Sequence, residues 1–257
     1  MLELNHITKI YNAGQITETC LFNDFSLNFH DGDFVSVVGS NGSGKTSLLN
    51  IICGTIPIDG GAVLLDGKDI SEMPEYARYR QIGRVYQNPA MGSCPDLTIA
   101  ENMALADCKG KRYGLQRGVN GKRLAHYREL LSTLGLGLEN KLDIPVGSLS
   151  GGQRQAMSLL MATMTPIRFL ILDEHTAALD PKTAETIMEL TDRIVKQKHL
   201  TAIMVTHNLR YAVEYGNRML MLHKGEIVLE KAAEEKAATR VSDLLSLFNE
   251  ISVECGN

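Results

Sequence analysis

Gly39 Ser40 Asn41 Gly42 Ser43 Gly44 Lys45 Thr46 is the stretch whose reading decides the fold. It follows the pattern G-x-x-x-x-G-K-[ST], in which glycines let successive backbone N–H groups curl around phosphate oxygens. The preceding run, Phe34 Val35 Ser36 Val37 Val38, is apolar and β-branched enough to predict a buried strand. The following run, Ser47 Leu48 Leu49 Asn50 Ile51 Ile52 Cys53, has helical spacing and stops at Gly54. A phosphate-binding loop needs this order of strand, loop and helix, because the helix N-terminus adds a partial positive charge. Lys45 would reach the β- and γ-phosphates, and Thr46 would place its hydroxyl on Mg²⁺. Ser40, Asn41, Gly42, Ser43, Gly44 and Ser47 would complete the nucleotide contacts. The loop alone leaves the class of nucleotide enzyme open.

The 257 residues fit one large domain, or one domain with an inserted subdomain. With 44% hydrophobic residues, 22% charged residues and a net charge of -4, the composition is that of a globular protein, and its slight acidity argues against a surface built to hold nucleic acid. Cys20, Cys53, Cys94, Cys108 and Cys255 are odd in number and scattered, with no C-x-x-C pair, which disfavours a disulfide framework or a zinc site and points to a reducing cytosol. The start, Met1 Leu2 Glu3 Leu4 Asn5 His6, alternates like a strand and lacks the pattern of a signal peptide. No apolar run approaches the roughly 20 residues that span a bilayer. If the protein works at a membrane, another chain must supply the spanning part.

Along the chain, Leu2 to Ile10 and Cys20 to Phe29 read as strands, and Tyr11 closes the first; its ring could stack on a base or pack at the rim. Ala62 to Leu65 and Ile82 to Tyr86 read as further strands, and Gln87 after the latter could ligate Mg²⁺ or cap a loop. From Leu97 to about Met164 the periodicity turns helical, interrupted by a Gly-, Lys- and Arg-rich span. Its cluster of Lys109, Lys111, Arg112, Arg117, Lys122, Arg123 and Arg128 reads as a solvated face or as a contact with anionic headgroups or an acidic partner. Leu149 Ser150 Gly151 Gly152 Gln153 opens a helix, either as a plain N-cap or as a second phosphate site. Ile167 to Leu172 is an apolar run ending in Asp173 and Glu174, as expected of a parallel strand with acids at its carboxyl end, where Asp173 could hold Mg²⁺ and Glu174 could take a proton from an attacking water. Ala178 Leu179 Asp180 Pro181 begins another helix, and Leu200 to Val205 is a strand ending in Thr206 and His207. Arg218 to Leu229 reads as a hairpin, and from Lys231 the tail reads as helical, with Val241, Leu244, Leu245, Phe248 and Ile251 on one stripe.

In this order the chain resembles the nucleotide-binding subunit of ATP-binding cassette (ABC) transporters, over nearly everything from Met1 to about Glu230. The resemblance implies an α/β fold: a P-loop NTPase cassette with a mixed core sheet, an antiparallel β subdomain and an inserted α-helical subdomain. Residues 1–96 and 165–230 would form the nucleotide-binding core, 97–164 the helical subdomain that carries the signature, and 231–257 a helical tail. It also implies a base-stacking role for Tyr11, γ-phosphate sensing by Gln87, and a metal site from Thr46, Gln87 and Asp173. Leu149, Ser150, Gly151, Gly152 and Gln153 would be the signature that meets the ATP of a second cassette. Glu174 and His207 would be catalytic, and Asp180 would couple the two sites.

The family's usual Pro after the catalytic Glu is His175 here, and the usual second Arg after the signature is Ala156. The His175 form looks like that of cassettes from bacterial uptake systems with a lipoprotein receptor, tryptophan and tyrosine importers among them. The resemblance therefore implies an ATPase using ATP and Mg²⁺, peripheral at the cytoplasmic face of the cell membrane. Its partners would be a second cassette in a homodimer, an integral membrane permease and an extracytoplasmic solute-binding lipoprotein. An exporter subunit and a soluble assembly-type ABC ATPase stay open as alternatives.

Overall fold

The computed structural model describes residues 1–111 and 118–254, with side chains to residue 250, so Arg112, Arg117, the Ile251 side chain and Cys255 lie outside the described part. In chain order the first elements are β1 (Leu2–Tyr11), β2 (Thr19–Phe29), β3 (Phe34–Gly39), α1 (Lys45–Cys53), β4 (Gly60–Leu65), β5 (Lys68–Asp69) and α2 (Glu75–Arg78). There follow β6 (Ile82–Val85), α3 (Ile99–Asp107), α4 (Leu124–Ser132), α5 (Gly151–Thr163), β7 (Phe169–Asp173) and α6 (Pro181–Gln197). The last are β8 (Thr201–Val205), α7 (Leu209–Glu214), β9 (Arg218–His223), β10 (Glu226–Ala232), α8 (Ala233–Ala237) and α9 (Val241–Glu254). Two compact units result, Met1–Tyr79 with His199–Asn257, and Arg80–Lys198.

The first unit holds an antiparallel sheet in the order β2-β1-β4-β5 and a mixed set of strands in the order β10-β9-β3-β8. β3 lies parallel to both β8 and β9, and all six of its residues are buried. A strand covered on both faces has no use for polar alternation, which is why its sequence is apolar but for Ser36, whose buried hydroxyl donates to Tyr215 O at 3.0 Å. β9 returns as β10 through Lys224 and Gly225, both at positive φ, the twist a two-residue hairpin loop requires. Val38, Ala212, Met219, Met221 and Leu244 form a core cluster, with Leu209, Val213, Leu247 and Phe248 packed against it.

The tail departs from its sequence reading. β10 runs on to Ala232 because Ala232 pairs with Arg218, so helix starts only after it. The apolar face of α9 uses Leu244, Leu247 and Phe248, whereas Leu245 is 50% exposed. Lys236 anchors the tail by donating to the carbonyls of Val213, Tyr215 and Gly216, and burial pushes its pKa down to about 8.

In the second unit β6 and β7 pair in parallel, Ile82 opposite Phe169 through Val85 opposite Leu172. α3 starts in a capping box, with Thr98 accepting from the Glu101 N–H and Glu101 accepting from the Thr98 N–H. Burial alone would raise the pKa of Asp107, at the end of α3, but hydrogen bonds from Lys111, Arg123 and Tyr127 hold it down to about 2. Lys109 meanwhile donates to the Ile82 carbonyl at 3.1 Å, and burial lowers its pKa to about 8. Three members of the basic cluster are thus engaged inside the subdomain, which is a structural use that neither sequence reading of the span contained.

Candidate active site

β3 delivers the chain into the phosphate loop at Gly39, where a Cβ would lie 2.2 Å from the Leu222 carbonyl oxygen of β9. Only glycine fits that approach. The loop closes through Ser43 N–H donating to Ser40 O at 3.2 Å, and is braced by Gly225 N–H of the β9–β10 turn donating to Ser43 O at 3.0 Å. Gly44 stands at the N-cap of α1 with φ 104°. Lys45 is 6% exposed, and its ammonium donates to Gly39 O and Ser40 O at 2.8 Å each. The amine is therefore held over the loop by the loop's own carbonyls. Thr46, in the first turn of α1, is exposed. Arg78 fixes the far end of α1 by donating to Ile51 O and Ile52 O in its last turn, where Ile51 O also accepts from the Gly54 N–H at 3.1 Å.

Tyr11, at the end of β1, lies beside this loop, its hydroxyl donating to Ser47 Oγ at 3.0 Å. His207, past the end of β8, lines a cavity of about 370 Å³ together with Gly39, Ser40 and Asn41 of the loop and Leu245 and Phe248 of α9. The first unit therefore brings together Tyr11, Gly39 to Ser47 and His207.

The second unit carries the acids. β7 is buried from Phe169 to Leu172 and surfaces at Asp173, so the pair of carboxylates marks the strand's exit. Glu174 has φ 46°, left-handed backbone that costs a non-glycine residue about 1 kcal/mol. Its carbonyl accepts from Ala177 N–H at 2.9 Å, which closes a turn right after the strand. His175 is buried, with Nε2 3.1 Å from Thr191 Oγ1 of α6. Because Thr191 already gives its proton to Ile187 O at 2.7 Å, the imidazole must donate from Nε2. Burial pushes the His175 pKa down to about 4, so it stays neutral and pins the turn after Glu174 to α6.

Asp173 Oδ2 accepts from Arg84 Nη2 at 2.7 Å, and the Arg84 guanidinium lies 4.7 Å from the centre of the Tyr86 ring. Gln155 of α5 donates to the Tyr86 carbonyl at 3.1 Å. Gln87 follows directly and is exposed. Arg84 was not singled out in the sequence, although a lone arginine inside an otherwise apolar strand was a signal for it.

At the start of α5, Ser150 Oγ accepts from Gln153 N–H and Gln153 Oε1 accepts from Ser150 N–H, both at 3.3 Å, a capping box. The plain N-cap reading is therefore present, and the remaining first-turn N–H groups lack helical acceptors, as an anion site also requires. A Cβ on Gly152 would lie 2.3 Å from Thr183 Cγ2, and one on Gly151 3.3 Å from Leu179 Cδ2. The glycines thus let this helix start close against the Leu179–Thr183 loop, where Asp180 caps α6. Asp180 Oδ1 accepts from Thr183 N–H at 3.1 Å, and these Thr183 contacts hold its carboxyl below the usual range.

Thr46 of the first unit offers a hydroxyl, and Gln87 and Asp173 of the second an amide oxygen and a carboxylate, each an oxygen donor of the kind a hard cation such as Mg²⁺ takes. Oδ1 of Asp173 meets no protein donor among the described residues, which suits a cation's water shell.

Residues 22–177 match the family model described as ABC transporter. A tyrosine transport ATP-binding protein of Clostridioides difficile is 44% identical over 96% of this chain and 98% of its own length. The spermidine/putrescine import ATP-binding protein PotA of Haemophilus influenzae is 32% identical over 91% of this chain, which spans 59% of that protein. The solved ATP-binding cassette MJ0796, in a dimeric post-hydrolysis state bound to ADP and Pi, aligns with a TM-score of 0.76 at 30% identity, over 90% of this chain and 98% of that one.

Proposed function

Because this chain belongs to the ABC transporter family, as an ATP-hydrolysing, nucleotide-binding subunit, we propose that it powers uptake of a tyrosine-class aromatic amino acid through a separate membrane permease. The observation that carries this reading is the 44% identity, over nearly the full length of both chains, with a tyrosine transport ATP-binding protein. No helix among the described residues is long and apolar enough to cross a membrane. In this reading the spanning path belongs to another chain, on which this one sits peripherally. A receptor lipoprotein outside the membrane supplies the solute.

In the proposed mechanism the phosphate loop binds ATP and Lys45 moves from its own loop carbonyls to the β- and γ-phosphates. Thr46, Gln87 and Asp173 would hold Mg²⁺, which would supply neutralisation of the phosphate charge. Tyr11 stacks on the base. Glu174, turned out of the strand by its left-handed backbone, orients and deprotonates the attacking water, and His207 contacts the γ-phosphate. The signature, Leu149 to Gln153, completes the ATP site of a second copy, and Asp180 couples the two sites. Gln87 passes the presence of γ-phosphate to the permease side.

The test is to tag the chain in its own cell, extract membranes in mild detergent and identify what co-purifies by mass spectrometry. A helical permease with a solute-binding lipoprotein that binds tyrosine or tryptophan by calorimetry is the expected result. A permease with no receptor overturns uptake, and a purely soluble complex overturns transport while leaving the ATPase chemistry intact. Glu174→Gln should lower hydrolysis by about 10²–10⁴-fold with ATP binding retained; near-normal turnover would remove Glu174 from the base role.

A further inference from the structure

β6 is apolar except at one residue. Arg84 has a side chain only 7% exposed, and a guanidinium so enclosed needs a counter-charge and hydrogen-bond acceptors. It stands opposite Ile171 of β7 and reaches two residues along that strand to Asp173, whose own side chain is 15% exposed. Tyr86, two residues on and therefore on the same face of the chain, lays its ring 4.7 Å from the guanidinium. The Tyr86 backbone is in turn held through its carbonyl by Gln155, which is 1% exposed on α5. A continuous path of named contacts thus runs from the helix that opens at Ser150, through Tyr86 and Arg84, to the carboxylate at the end of β7.

We propose that Arg84 is a positioning residue for hydrolysis: it fixes Asp173 in one orientation, with Oδ2 on the guanidinium and Oδ1 presented to the nucleotide-bound cation, while Tyr86 and Gln155 fix Arg84. The inference rests on the reading of Asp173 as a holder of Mg²⁺. Geometry and charge make opposite demands here, which gives the inference a sign. A cation beside the metal site repels the metal, so if the ion pair acted by charge alone, neutralising Arg84 would tighten metal binding. If its role is to orient the carboxylate, neutralising it loosens metal binding instead, because partners that orient a ligand govern affinity. The Tyr86 ring, 4.7 Å from the guanidinium, favours orientation, since it holds the planar group that donates from Nη2 to Oδ2 in a way it would not hold a point charge.

The experiment measures Mn²⁺ binding to the full chain loaded with ADP, by electron paramagnetic resonance, alongside the melting temperature and ADP affinity in EDTA. Arg84→Met is expected to weaken Mn²⁺ binding about tenfold or more while the melting temperature and metal-free ADP affinity stay near those of the natural chain. Arg84→Lys should recover part of the loss. Unchanged or tighter Mn²⁺ binding in Arg84→Met overturns the inference. Should that variant fail to fold, Tyr86→Leu removes only the stacking platform and should weaken Mn²⁺ binding in the same direction; no weakening overturns the inference equally. Asp173→Ala separates the two levels of argument. If Asp173→Ala loses the metal and Arg84→Met does not, only the role of Arg84 falls, whereas full metal affinity in Asp173→Ala removes the metal reading of Asp173 and the inference with it.

Discussion

Lys45 donates to two backbone carbonyls of the loop it serves, at 2.8 Å each, so its amine is already placed where phosphate oxygens would replace those acceptors. A charge-assisted hydrogen bond of this kind contributes about 1.5–3 kcal/mol, and Lys45→Ala should weaken ATP binding by at least that amount, measured by calorimetry without Mg²⁺. Unchanged affinity would mean that the loop does not hold the phosphates. Gly39 makes a different demand, because the Leu222 carbonyl stands where its Cβ would be. Gly39→Ala must push β9 away from β3, at a cost of about 1–3 kcal/mol readable as a lower unfolding midpoint in urea. Both residues were legible from spacing alone, since a glycine and a lysine at fixed offsets leave few other readings. Arg84 and His175 were not legible in the same way. What each touches, Asp173 across a strand register and Thr191 sixteen residues on, is decided by pairing and packing that no local pattern states.

Among elements, β3 and β7 were readable because a strand buried on both faces is written as a nearly unbroken apolar run, and α1 because Gly54 stops it at φ 78°. The tail was harder. Lys231 to Ala237 has helix-forming composition, yet pairing with β9 claims it as far as Ala232, and adjacent Leu244 and Leu245 leave the facing stripe ambiguous until α7 is in place. Ser150→Ala removes the N-cap of α5 and should cost about 1 kcal/mol of unfolding free energy; in the proposed role it should also abolish ATP-driven pairing of cassettes while leaving ATP binding to the single chain intact. Asp107→Asn should loosen the α3–α4 junction by about 1–2 kcal/mol at neutral pH. The sign with pH follows from its depressed pKa: the contribution of Asp107 is complete above its ordinary value of 3.8 and is lost as pH falls through about 2. The difference between natural chain and variant should therefore shrink across that window in urea unfolding, and a constant difference would show that the charge is not what binds the junction.

At the scale of the whole molecule, one chain carries a phosphate loop in its first unit and a glycine-led helix start in its second, and the proposed function assigns both to ATP, in different copies. Such an arrangement makes association a ligand-linked equilibrium: ATP that is gripped fully only in the pair stabilises the pair, and conversion to ADP and phosphate removes the grip. The dimeric state of the solved cassette MJ0796 agrees with this in kind. The prediction concerns the Glu174→Gln chain, in which the bound ATP persists. In size-exclusion chromatography with light scattering it should run at twice the 28.2 kDa of the single chain in ATP and at the single-chain mass in ADP. The dimer fraction should rise with protein concentration and, because two nucleotides are held per pair, more steeply than linearly with ATP below saturation. Adding Lys45→Ala to the same chain should return it to the single-chain mass. A single-chain mass for Glu174→Gln at saturating ATP, with binding confirmed, would mean that the second phosphate site is only a helix cap, and that the pairing of copies must be sought in the permease rather than in the nucleotide.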